Sequence, residues 1–203
     1  MPKKPLRLPT KDCKLIEIIL VSHMKRCFIL NKAEGNQMIR KIEDFQKDWA
    51  YETESTVKLF NNLTDASLGQ KVMPDGRSLG FLAWHITQSL GEMLALVGLT
   101  IEAPEQDAAV PDNAAVIVNA FEKAANSVSA HVTAKWTDDT LLQEDDMYGE
   151  KWARGLTLLY LMMHQAHHRG QMTVLMRQAG LKVSGVYGPS KDDWEAMSVP
   201  ALA

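Results

Sequence analysis

Hydrophobic residues recur along this chain at intervals of three and four, the spacing that lines one face of an α-helix. Ile42, Phe45, Trp49, Glu52, Thr56, Leu59 and Leu63 form the first series, which predicts an amphipathic helix of about 25 residues starting near Met38. Asn61-Asn62 and Thr64-Asp65 close it, and the turn signal Pro74-Asp75-Gly76 places residues 69–78 in a loop. Leu82, His85, Ser89 and Met93, with Ile86 and Leu90 beside them, mark a second helix over about 79–97. Ser78 is its N-cap and Gly98 its end. After a linker with Pro104 and Pro111, Asp112 or Asn113 caps a third helix to about Lys135, with the milder stripe Ala114, Ile117, Phe121, Ala124, Val128 and Val132. Residues 137–150 are polar, acidic and irregular, with Gly149 as a break. The long stretch Leu156 to Gln178 has no Pro and is rich in Leu and Met, so it predicts the fourth helix, with Gly180 at its C′ position. The tail from 181 to 203 reads as coil with one short turn near 192–197. Four long helices without a convincing strand predict an all-α four-helix bundle, in which 99–112 and 137–150 are long enough to cross an end.

The fourth helix breaks its own pattern. Thr157, Leu161, His164, His168, Gln171 and Leu175 fall on one stripe, so two imidazoles stand where a core-facing seam calls for apolar side chains. A buried His without a partner costs on the order of 1–3 kcal/mol. A metal ion accounts for both at once, because an i,i+4 His pair supplies two ligands at a suitable separation. His85 sits on the apolar stripe of a different helix and makes a third. Taken alone it reads as a hydrogen-bonded core histidine; three converging histidines leave positions open for water and substrate, as a catalytic site requires. His167 lies roughly 60° from His164 and 100° from His168 around the helix and reads as a rim residue, with a His164/His167 pair as the alternative. His23 and His131 read as surface or structural. Glu52, on the first stripe, is a candidate base or ligand-orienting partner, against the plainer reading of an exposed stripe-edge carboxylate. Arg169 and Arg177 read as solvated or salt-bridged, and Met162, Met163, Met172 and Met176 as core filler.

Composition narrows the choices. A chain of 203 residues with 46% hydrophobic and 23% charged side chains suits one soluble domain. Its net charge is −3, unevenly placed. Residues 1–37 hold eight Lys and Arg against three Asp and Glu, which leaves fourteen against twenty-two, or −8, for the remainder. An acidic main domain argues against nucleic acid and against anionic membrane as partners. The two cysteines, Cys13 and Cys27, point to a reducing compartment, and the run from Leu15 to Val21 is too short and interrupted for a signal peptide or membrane span. The expected location is cytoplasmic. The proline-rich basic start marks residues 1–37 as a loosely ordered extension, or as a segment outside a native protein starting at Met38, with 38–203 as the compact domain. No GxGxxG, P-loop or GxSxG occurs.

The run Arg77-Ser-Leu-Gly-Phe-Leu-Ala-Trp-His85-Ile, with His164-Gln-Ala-His-His168-Arg-Gly-Gln171 and Arg177-Gln-Ala-Gly180, resembles the DinB/YfiT-like family of metal-dependent enzymes. The segment Val186-Tyr-Gly-Pro-Ser-Lys-Asp-Asp-Trp194 resembles one branch of it, and the likeness covers about Met38 to Trp194. The resemblance implies a four-helix bundle, commonly homodimeric, with a divalent metal (zinc, nickel, iron or manganese) held by His85, His164 and His168. It also implies a small-molecule substrate and a transferase activity dependent on a low-molecular-weight thiol. The family shares its name with a damage-inducible DNA polymerase, which this chain does not resemble. A Lewis-acidic ion on three neutral ligands lowers the pKa of a bound thiol or water, so the first expectation is a thiol S-transferase and the second a metal-dependent hydrolase. The expectation from a different class is a dimeric stress-response binding bundle without catalysis.

Overall fold

The computed structural model describes residues 38–198 and Pro200. The extension 1–37, with Cys13, Cys27 and His23, lies outside the described residues. Four long helices dominate: α1 (Ile42–Phe60), α2 (Leu79–Ala95), α3 (Ala114–Lys135) and α4 (Arg154–Gln178). A two-stranded antiparallel hairpin, β1 (Glu144–Met147) and β2 (Glu150–Ala153), precedes α4, and a short α5 (Lys191–Ala196) closes the tail.

The caps explain where the helices begin and stop. α1 starts at Ile42 and not at Met38, because Asp138 accepts a hydrogen bond from the Ile42 N–H at 2.9 Å and fixes the first turn there, and it ends at Phe60. Leu63 falls beyond its end yet is still buried. Ser78 accepts from the Phe81 N–H at 3.1 Å and Asn113 from the Val116 N–H at 3.2 Å, so α2 and α3 start where the sequence predicts. After the last turn of α4, Gly180 is followed by Leu181, whose N–H donates to the Met176 carbonyl at 2.9 Å.

Around the bundle, α2 packs on α4 and on α3, and α1 packs on α3 and on α4. The chain therefore moves diagonally from α1 to α2 and again from α3 to α4, while 96–113 joins neighbours. The crossing predicted for 137–150 is present. The one predicted for 99–112 belongs instead to residues 61–78, which Asp65 ties to the start of α3 by accepting the Ala114 N–H at 2.7 Å. The core fills with Phe45, Leu59, Phe60, Leu82, Ile86, Leu90, Ile117, Phe121, Leu158 and Leu161, all buried. Full burial of each such side chain contributes roughly 1.5–3 kcal/mol. Met162, Met172 and Met176 belong to this core, but Met163 is 43% exposed and does not.

The hairpin is the element that the periodicity missed. Tyr148 and Gly149 have φ of 56° and 82°, the two left-handed positions of a tight hairpin turn matched to strand twist. Glycine holds the second at no steric cost. The strand sequences Glu-Asp-Asp-Met and Glu-Lys-Trp-Ala contain no β-branched residue, so propensity argued against them. Tertiary contacts override it: Met147 is fully buried, the Trp152 ring packs at a tilt against Tyr160 of α4 with centroids 4.7 Å apart, and Arg154 pairs with Asp145 at 2.8 Å.

Candidate metal centre

Two helices carry the three histidines, and one buried hydrogen bond sets how they meet. Gln165, directly after His164, donates from Nε2 to the Ile86 carbonyl, directly after His85, at 3.1 Å. It thereby fixes the register of α4 against α2 at the level of both imidazoles. The His85 and His164 Nε2 atoms lie 3.3 Å apart, and those of His164 and His168 3.0 Å. The candidate ligand atoms of all three lie within 4.8 Å of one another. The rings meet edge to face, with centroids 4.4 to 5.0 Å apart. His168 is 2% exposed; His85 and His164 are partly open.

Protonation follows from burial and crowding. Burial first, then the Arg77 charge, lowers His85 to about 4. Burial and then the neighbouring His85 lower His168 to about 3, although Gln171 opposes the shift. His164 is held well below its ordinary value by burial and then by His168 and His85. All three rings are neutral near pH 7, the form that binds metal. His168 Nδ1 faces Gln171 Oε1 at 2.8 Å, and the Gln171 amide nitrogen faces His167 Nε2 at 3.1 Å. That network puts the His168 proton on Nδ1 and turns a lone pair at Nε2 toward the cluster.

The donor set fits a cation better than it fits itself. A proton on His164 Nε2 satisfies its contact with His168 and leaves His85 unpaired; a proton on His85 leaves His164 and His168 facing each other lone pair to lone pair. One divalent ion takes all three. Tetrahedral bonds of about 2.0–2.1 Å separate ligand nitrogens by roughly 3.3 Å, close to both short contacts. The three-His group could therefore hold a metal ion, and a ring orientation set from outside by Gln171 is the usual support of a metal-ligating His.

A family profile described as the DinB family matches residues 38–200. The chain belongs to the DinB family. It is 40% identical over 164 residues to a Bacillus subtilis protein named "Uncharacterized protein YrdA", across 81% of this chain and 98% of that one. A DinB-like protein from Bacillus cereus, known from its crystal structure, is 43% identical and superposes with a TM-score of 0.72, covering 74% of this chain and 100% of its own. The DinB-like YjoA of Bacillus subtilis, at 19% identity and a TM-score of 0.57 over 72% of this chain and 98% of its own, shares the fold. DinB membership and the helical bundle agree with the resemblance carried by the His85 and His164–Gln171 motifs.

Other candidates fall outside this DinB-family centre. His167 is exposed and meets the cluster only through Gln171 and an edge contact with the His168 ring at 4.9 Å, so the geometry pairs His164 with His168. His131 bonds within α3, its Nδ1 2.8 Å from the Ser127 carbonyl oxygen. Glu52 follows neither sequence reading. It is not an exposed stripe edge, because its side chain is 12% exposed, and it faces Arg169 rather than an imidazole. Arg169, 2% exposed, donates to the Glu52 carboxylate, to the Glu52 carbonyl and Thr56 hydroxyl at 2.9 Å each, and to the Tyr187 hydroxyl at 2.7 Å. Tyr187 in turn donates to Glu52 at 2.8 Å. Tyr187 is 65% exposed as a residue, yet burial and then the hydrogen bond to Glu52 raise its pKa to about 12. A surface cavity of about 460 Å³ lies between α4 and residues 183–191, with Arg169, Thr173 and Arg177 in its wall, and includes none of the three metal-site histidines. Among the described residues, no helix is long and apolar enough to cross a membrane.

Proposed function

We propose that this DinB-family chain is a divalent-metal-dependent enzyme that transfers a low-molecular-weight thiol to an electrophilic small molecule. The observation that carries the reading is the convergence of three neutral imidazole nitrogens from two helices, with two of the rings partly open. When bound, a divalent ion supplies Lewis acidity that lowers the pKa of a thiol or water. The chain's own part is to hold the ion through His85, His164 and His168, to lock the His168 tautomer through Gln171, and to support the His85 ring with Phe81, which stacks on it at 5.9 Å.

Transfer is favoured over hydrolysis by two arguments. A thiol near pKa 8.5 needs far less lowering than water near 15.7. Hydrolysis also gains most from a carboxylate base, and Glu52 is already committed to Arg169 and Tyr187. Homodimerisation and a cytoplasmic location belong to the same reading. Elemental analysis of untagged protein, beside His85→Ala and His164→Ala, tests the centre: about one ion per chain in the wild type and none in the variants. Conjugation of cysteine to monochlorobimane by zinc-, nickel- or manganese-loaded protein tests the reaction. Loss of substrate at the same rate without thiol would move the reading to hydrolysis. Sedimentation velocity reports the oligomer.

A further inference from the structure

Arg77 stands in the loop before α2 and is partly buried. Its guanidinium lies 5.1 Å from the centre of the Phe81 ring, and that ring lies nearly parallel to His85, with 11° between the planes. Cation, phenyl ring and imidazole form a column that leads into the three-His group. Stacking of this kind orients a guanidinium while leaving its planar fork of N–H donors free. The other arginines of the bundle are used differently. Arg154, Arg169 and Arg177 each pair with a carboxylate, those of Asp145, Glu52 and Asp192, and Arg40 is exposed just before α1 with no aromatic ring beneath it among the described residues. Among the described residues Arg77 has no ion pair and no side-chain hydrogen bond.

The charge around the centre is equally one-sided. The Arg77 charge acts on all three histidines, second to burial at His85 and more weakly at His164 and His168, and no carboxylate is among the leading influences on them. Neutral ligands leave an ion its full charge, so ion and guanidinium together make a cationic spot within a domain whose net charge is −8. Such a spot is balanced by its ligand. A guanidinium with a free fork recognises a carboxylate bidentately.

We propose that Arg77 is a specificity-determining residue that reads a carboxylate on the molecule seated at the three-His group, so the site takes carboxylate-bearing ligands in preference to neutral ones. This rests on the metal-centre reading above and narrows its substrate class.

The test is binding, followed in the visible spectrum of cobalt(II)-loaded protein. Two matched pairs serve as probes: 3-mercaptopropionate with 2-mercaptoethanol, and succinate monohydroxamate with butyrohydroxamate. Within each pair the metal-binding group is the same and the carboxylate is the difference. The wild type should favour the carboxylate member about tenfold, the scale of one charge-assisted contact at a partly open site. Arg77→Gln should bring the ratio close to one, and Arg77→Lys, which keeps the charge in the same loop, should retain part of it. Equal binding of the two hydroxamates by the wild type, or an unchanged ratio in folded Arg77→Gln, overturns the proposal. A thiol pair that leaves the spectrum unmoved, beside a hydroxamate pair with an Arg77-dependent preference, refutes thiol transfer and upholds the role of Arg77. Protein that takes up no cobalt overturns both, and shows it before any probe is added.

Discussion

Replacing Glu52 by Gln separates a structural carboxylate from a catalytic one. Arg169 is 2% exposed and Glu52, its counter-ion, 12%. The Glu52→Gln side chain keeps the shape and an acceptor oxygen, so the loss is chiefly the charge. Removing one partner of a buried pair strands the other, which costs about 3–5 kcal/mol; the slight exposure of Glu52 favours the lower end, about 3 kcal/mol. Arg169→Met should cost less, about 1–2 kcal/mol, because the stranded carboxylate reaches water and keeps the Tyr187 hydroxyl as donor. In the double variant neither charge remains. Thr56 still donates to the Glu52 carbonyl oxygen at 3.0 Å, a main-chain group that the substitution leaves in place, and Tyr187 can turn to solvent. That variant should lie within about 1 kcal/mol of wild type, which gives a coupling of about 3 kcal/mol. Urea denaturation of the metal-free proteins, followed by far-UV circular dichroism, measures all four corners of the cycle. Arg169 keeps its bonds to the Glu52 carbonyl and the Thr56 hydroxyl in Glu52→Gln, so α4 stays anchored to α1 and the folded variant should keep its metal content and thiol conjugation. A loss below about 0.5 kcal/mol for Glu52→Gln, or a double variant as unstable as the sum of the singles, would refute the buried-pair argument. Lost activity at unchanged stability would restore Glu52 as a base.

Three further outcomes follow from the same geometry. Gln171→Leu frees the His168 Nδ1 proton that now faces Oε1 at 2.8 Å, and should weaken zinc binding about 10–100-fold in a chelator competition, while His167→Ala should leave it nearly unaltered. His85 and His168 titrate near 4 and 3 when folded and near 6.5 when unfolded. Below pH 6.5 the unfolded chain therefore binds more protons, and stability of the metal-free protein should fall by about 1.4 kcal/mol per pH unit for each of them. A flat urea midpoint from pH 6.5 to 5 would contradict those shifts. Gly155→Ala would place a Cβ 2.0 Å from the Ile39 carbonyl oxygen, where backbone must move, and should cost about 1–3 kcal/mol or more in thermal unfolding.

The parts of this molecule that were legible in its sequence are those in which a side chain's local spacing decides its place. Stripes at three and four locate α1 to α4, with only the ends of α1 drawn in, and the caps at Ser78 and Asn113 act within one turn, so they survive into the structure unchanged. His164 and His168 are readable for the same reason. One helix spaces them, and their interruption of an apolar seam needs no partner to be visible. Other features depend on contacts between elements far apart in sequence. The hairpin is stabilised by Met147 burial and by Trp152 on Tyr160, which strand propensity does not encode.

Gln165 and Arg169 show that gap at the centre itself. Each follows a site histidine, and each is a long polar residue that composition assigns to the surface, yet they are 1% and 2% exposed. Their partners, the Ile86 carbonyl and Glu52, are 79 and 117 residues away. Four residues apart on α4, they share a face beside the histidine stripe, one anchoring the helix to α2 and the other to α1. A seam that alternates imidazoles with buried anchors fixes both the axial position and the rotation of α4, and three nitrogens can meet at one point only when both are fixed. The polar residues of this helix thus form one device, in which the histidines supply the donors and Gln165 and Arg169 supply the geometry that makes them converge.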